Sequence, residues 1–237
     1  DLRLIGEVLR REGRLDVTAG CAGFASVLAG LLALERKESN GASSFARPGA
    51  IIVCGSVNPC SLRQIAWAES RGHSSVVVEP EALLDEGYPD SPEGAELIGR
   101  LAWLCGREPA PILKVAPTVR PYSAAQKLSL ARNLGRMVGK ILALRPLGTL
   151  VIFGGDTAAG VMAALDCRGL LVREEIVPGI VLSEVLGGPY PLRIVTKAGG
   201  FGKEDVLQEI MEYLEGKAGR GGRAAGPDRS TRNGSCI

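Results

Sequence analysis

Apolar residues recur along this chain in two rhythms. Leu4, Ile5, Val8 and Leu9 fall at helical spacing within Leu2–Glu12. Leu15–Ala19 reads as a short strand, and the Gly- and Ala-rich stretch from Gly20 reads as a helix to about Arg36. Lys37–Gly49 is polar and carries Gly, Ser and Pro, the composition of a linker. From residue 50 onward, short apolar runs alternate with longer amphipathic segments. Strands are expected over Ala50–Cys54, Ser74–Glu79, Pro111–Val115, Leu150–Phe153 and Leu192–Thr196. Two further extended segments, Leu170–Ile176 and Ile180–Leu186, are joined by Val177-Pro-Gly179. Helices are expected over Ser61–Arg71, Glu93–Arg107, Ser123–Leu144, Thr157–Leu165 and Lys203–Leu214. The longest places Leu128, Ala131, Leu134, Val138, Ile141 and Leu142 on one stripe. This alternation predicts an α/β fold, a three-layer domain with a mainly parallel sheet, preceded by a short α/β segment.

Composition sharpens that reading. Hydrophobic residues make up 46% of the 237, but aromatics only 4%, so the core must be built from Ala, Val, Leu and Ile. That suits parallel strands covered by helices. The formal charge is +2, yet the last 21 residues (217–237) carry +4 and leave about −2 for the rest. A slightly acidic body argues against nucleic acid as a partner. The basic tail, rich in Gly, Ala and Arg, is expected to be disordered; RNA or an anionic surface is its alternative use. Six cysteines (Cys21, Cys54, Cys60, Cys105, Cys167, Cys236) form no CxxC pair and the chain has one histidine, His73, so no metal site is assigned. Such cysteines suit a reducing cytoplasm, and no apolar run reaches membrane-spanning length. The chain begins at Asp1, as a fragment or processed product would.

The candidate chemistry lies where predicted strands end. Gly55-Ser-Val-Asn58, Gly154-Gly-Asp-Thr157 and Lys197-Ala-Gly-Gly-Phe-Gly202 each follow a strand and precede a helix, the place where open parallel sheets bind ligands. Gly154 and Gly155 would let a phosphate approach the backbone. Thr157 either caps the next helix or bonds a phosphate oxygen. Asp156 either shares that cap or holds a ribose hydroxyl or hydrated Mg²⁺. Lys197 is either a phosphate partner or a solvated surface lysine, and Gly55-Ser56 is either a ligand loop or a simple turn. Neither a GxxxxGK[ST] loop nor a GxGxxG fingerprint is present, which argues against a dinucleotide oxidoreductase. His73 lacks a GxSxG elbow to serve, and Arg173-Glu-Glu175 reads as a partly solvated cluster rather than a metal or ribose site.

Val53-Cys-Gly-Ser-Val-Asn-Pro59 with Gln64, Gly154-Gly-Asp-Thr-Ala158, Glu175-Ile-Val-Pro-Gly179 and Thr196-Lys-Ala-Gly-Gly-Phe-Gly202, in this order, resemble the four-carbon acid sugar kinase family. The likeness runs over about residues 50–215, and Gly20-Cys-Ala-Gly-Phe-Ala25 resembles the end of that family's N-terminal substrate domain. The resemblance implies residues 1–37 as the remnant of that domain, 38–49 as linker, 50–216 as nucleotide-binding domain and 217–237 as tail. It implies ATP and Mg²⁺ as cofactors, with Ser56, Gly154, Gly155, Asp156, Thr157, Lys197, Gly199, Gly200 and Gly202 at the ATP site. The implied substrate is a sugar acid of the threonate, erythronate or 3-oxo-tetronate class, taken by an N-terminal domain that is absent or separate. The family's Asp-Asp-x-Thr-Gly-like motif has no counterpart in residues 1–49, so no catalytic base is assigned and the chain alone is expected to be inactive. A homodimer is compatible with this reading. The alternative is a non-catalytic nucleotide-binding, regulatory or assembly module.

Overall fold

The computed structural model describes residues 1–32 and 47–220. The chain separates into two compact units, Asp1–Gly41 and Ala42–Ile237.

In the first unit, α1 (Leu2–Arg11) and α2 (Ala22–Leu31) pack as a helical pair. Gly6 lets them meet, since a Cβ there would lie 2.7 Å from Leu31 Cδ1 and 2.9 Å from Val27 Cγ1. The strand expected over Leu15–Ala19 does not form. A strand needs a partner to take its backbone groups, and the unit holds none among the described residues. Val17 instead stands 92% exposed. The expected end of α2 near Arg36 lies outside the described residues, as does most of the linker.

The second unit is built on seven strands: β1 (Ala50–Cys54), β2 (Ser75–Val78), β3 (Ile112–Val115), β4 (Thr149–Phe153), β5 (Gly169–Val177), β6 (Ile180–Leu186) and β7 (Arg193–Lys197). Their order is β2-β3-β1-β4-β7-β6-β5. The first five in that order run parallel, and the β5–β6 hairpin joins β7 antiparallel. Every residue of β1 and β4 is buried, because helices cover both faces. Alternation sorts their side chains into two cores. Ile51, Val53, Leu150 and Ile152 pack under α4 (Pro92–Leu104), α5 (Ala124–Leu144) and α6 (Gly155–Ala164). Ala50, Ile52, Val151 and Phe153 pack under α3 (Pro59–Ser70) and α7 (Val206–Arg220). The three-layer, mainly parallel α/β expectation holds.

Local chemistry sets the helix starts. Asn58 and Ser91 cap α3 and α4, each with Pro at the first helical position. Ser123 and Gln126 form a capping box at α5. Leu128, read into the buried stripe of α5, is 61% exposed. The burial of that helix begins at Ala131, and its first turns are exposed or only half-buried.

Candidate functional site at the strand reversal

From β1 the chain crosses to β2 on one side, and from β4 it proceeds towards β7 on the other. The carboxyl ends of β1 and β4 are therefore the point where connections diverge, which opens a crevice in such sheets. A cleft of about 620 Å³ lies there.

One wall is made of the two loops that leave β1 and β4. Gly55 admits no side chain, because a Cβ would sit 2.4 Å from Thr157 Oγ1. Ser56 Oγ accepts from the Asn58 amide at 3.2 Å. Gly154 adopts φ +105°, a conformation that L side chains rarely take. It occupies the N-cap position of α6 and offers no side chain to the first turn. Asp156 and Thr157 thus lie inside the first turn of α6, two residues earlier than the expected start, and neither caps it. The first-turn amides, which have no intrahelical acceptor, are left facing outward with the positive end of the helix dipole.

The opposite wall went unforeseen. Residues 116–122, at the carboxyl end of β3, bring Thr118, Arg120, Pro121 and Tyr122 into the cleft, and the first turns of α5 add Lys127 and Leu130. The Tyr122 hydroxyl donates to Glu81 Oε1 at 2.7 Å and holds that carboxyl below its ordinary range. The same strand-end rule that flagged the glycine loops applies to this segment, but its Pro, Arg and Tyr carry no glycine signal.

Of the residues expected at the site, Ser56, Gly154, Gly155, Asp156, Thr157 and Gly199 line one cleft; Lys197, Gly200 and Gly202 do not. Lys197 is no solvated lysine. It is 2% exposed, at the end of β7, with Nζ donating to Gly199 O at 2.5 Å and Ser61 Oγ at 3.0 Å. Its ammonium also lies 5.3 Å from the centre of the Phe153 ring. Burial pushes its pKa below the ordinary lysine value. Gly202 faces Val206 and Gln64, which leave no room for a Cβ.

The residues set aside at the outset have structural employment. His73 Nδ1 lies 2.8 Å from the Ala110 carbonyl, to which it can only donate. Arg173 pairs with the buried Glu184, and Glu175 accepts from the Gly179 amide at 2.8 Å. Among the described residues, no group of three or more His, Cys, Asp or Glu is placed to hold a metal. None of their helices is long and apolar enough to cross a membrane.

Comparison with known proteins agrees with this geometry. Residues 51–207 match the family model described as a nucleotide-binding C-terminal domain. The D-threonate kinase of Salmonella typhimurium is 25% identical over 229 residues, covering 91% of this chain and 52% of that protein. The 3-oxo-tetronate kinase of Cupriavidus necator is 27% identical over 231 residues, covering 91% of this chain and 50% of that protein. The chain thus spans about half the length of these relatives. A crystal structure of a domain of unknown function from Bordetella bronchiseptica, a domain-swapped dimer with bound citrate, shares the fold at TM-score 0.58 and 24% identity, covering 94% of this chain and 52% of that one. The matched family model and these relatives place the chain in the four-carbon acid sugar kinase family, with its nucleotide-binding C-terminal domain at residues 51–207.

Proposed function

We propose that this chain is the ATP-binding half of a kinase that phosphorylates four-carbon sugar acids of the threonate, erythronate or 3-oxo-tetronate class. The observation that carries the reading is the uncapped start of α6 set against the β1 loop at the strand reversal, with Gly155 open to the cleft. Phosphoryl transfer depends on positioning and on stabilising charge. Here the amides of Gly155, Asp156 and Thr157 would hold phosphate oxygens, and Ser56 and Thr157 would add hydroxyls. Lys197 would supply positive potential from beneath. Lys127 and Arg120 stand on the facing wall. Mg²⁺ fits a site with a single carboxylate, Asp156, because that ion keeps most of its waters and travels with nucleotide phosphates.

In this reading residues 1–37 close a substrate domain whose remainder supplies the sugar-acid site and the base, 38–49 link it to the nucleotide domain, and 217–237 form a basic tail. Turnover in the cytoplasm would require both halves. The domain-swapped dimer of the Bordetella protein supports a homodimer here as well. A non-catalytic nucleotide-binding module is the second reading, supported by the basic composition of residues 217–237 and by residues 1–49, which carry no Asp-Asp-x-Thr-Gly-like motif.

Calorimetric titration with ATP and Mg²⁺, with NAD as control, tests the proposal. Saturable ATP binding without NAD binding is expected, and a folded chain that binds neither overturns it. Turnover on addition of a relative's N-terminal domain would reject the non-catalytic reading.

A further inference from the structure

The loop from Ala198 to Lys203 is held by its carbonyl oxygens. Gln64, fully buried on α3, donates through Nε2 to the carbonyls of Phe201, Gly202 and Lys203 at 3.1, 3.0 and 2.8 Å. Ser61, one turn earlier and equally buried, donates to Gly199 O at 3.4 Å, and Lys197 Nζ reaches both that carbonyl and Ser61 Oγ. In a trans peptide, the C=O and the following N–H point in opposite directions. Carbonyls drawn down onto α3 and β7 therefore turn the amides of Gly200, Gly202 and Lys203 away from them. None of these three amides meets an acceptor among the described residues. The outer side of the loop is empty as well: a Cβ at Gly199 or Gly200 would meet nothing within 4 Å. The fold itself does not require glycine at either position, whereas close approach of a ligand to the backbone does.

We infer that Gln64, Ser61 and Lys197 are positioning residues that pull the carbonyls of this loop inward and so present the Gly200, Gly202 and Lys203 amides as a cradle for a phosphate group of the nucleotide. Successive outward amides make such an anion-binding concavity. This rests on the nucleotide reading and changes one part of it. Lys197, with its donors committed to Ser61 and Gly199, shapes the loop instead of touching phosphate.

Amide NMR of the full chain, titrated with ATP and Mg²⁺, tests the inference. At saturation the Gly200, Gly202 and Lys203 amides should shift, and their hydrogen exchange should slow at least tenfold. Gln64→Met keeps the size of the side chain and removes the donor. It should displace those loop resonances in the free protein, leave the sheet resonances in place, and weaken ATP binding at least tenfold. Wild-type binding with these three amides unaffected overturns the cradle while the nucleotide site stands. Unchanged ATP affinity in folded Gln64→Met overturns the role of Gln64. Failure of the wild type to bind ATP removes the nucleotide reading and the cradle with it. Should Gln64→Met not fold, the wild-type amides alone decide.

Discussion

Gly160→Ala is the most exacting test of how the cleft is built. Gly160 on α6 meets Ala131 on α5 backbone to backbone: a Cβ at 160 would lie 2.1 Å from Ala131 O and 2.4 Å from its carbonyl carbon. The contact is reciprocal, since a Cβ at Gly135 would lie 2.3 Å from Gly160 O. Carbon and carbonyl oxygen settle no closer than about 3.3 Å, and no flexible side chain stands between the helices to yield. The helices must therefore part by roughly 1 Å. Two terms oppose. Alanine in place of glycine within a helix gains about 0.5–1 kcal/mol, while a methyl forced into a close-packed contact costs about 1–3 kcal/mol. With rigid backbone on both sides the cost lies at the upper end of its range, near 3 kcal/mol, so the net expectation is a loss of about 2 kcal/mol, or a fall of roughly 4–8 °C in Tm for a domain of this size. Because α6 opens with Gly155–Thr157 and α5 carries Leu130 and Ala131 on the facing wall, parting the two should also weaken ATP binding. Thermal and urea unfolding measure the first effect and calorimetry the second, with Gly99→Ala on α4, outside the cleft lining, as the control whose Cβ meets nothing within 4 Å. A Gly160→Ala protein as stable as the wild type, or more so, would refute the reasoning, since helix propensity alone predicts a rise.

Gly155→Val should fold with the wild-type Tm and lose at least tenfold in ATP affinity, because the space its side chain enters belongs to the cleft and not to the core; undiminished binding by calorimetry removes the start of α6 from the site. Lys197 should leave a signature in the pH dependence of stability. Its folded pKa lies below the ordinary value, so the unfolded chain binds the proton more tightly, and the wild type should gain stability relative to Lys197→Met as pH rises from the folded value to the unfolded one. Urea unfolding of the pair between about pH 7 and 10 measures this, and parallel curves contradict the burial argument. Thiol alkylation at pH 8 followed by mass spectrometry should modify Cys21 well before Cys105. The Phe24 and Gly23 amides lower the first thiol and burial pushes the second up to about 11; the reverse order would contradict those environments.

Much of the sheet was legible because central parallel strands are apolar runs: Ala50–Cys54 and Leu150–Phe153 declare themselves without tertiary information. Leu15–Ala19 has the local pattern of a strand but no neighbour to pair with, and pairing is not local. The start of α6 was misplaced because Asp156 and Thr157 are ordinary capping residues, and only the φ of Gly154 shows that glycine takes that position. Lys197 was ambiguous in sequence because burial of a lysine depends on how its acceptors are brought to it, here Ser61 from far earlier in the chain and the Gly199 carbonyl from the turn that follows. The 116–122 wall was hidden for a related reason. Its place in the cleft follows from β3 lying between β1 and β2, a strand order that no stretch of residues announces.

The two walls of the cleft differ in mutational freedom. Gly55 and Gly154 are confined by Thr157 and by backbone conformation, so most changes there would cost the fold as well as the site. The facing wall rests on a connecting loop and on the poorly buried first turns of α5, and loops of this kind accept substitution without disturbing the core beneath. Selection on ligand preference therefore has an inexpensive place to act, between residues 116 and 130. Drift in that wall can change the lining of the cleft while the loops that leave β1 and β4, and the stability bound up with them, stay in place.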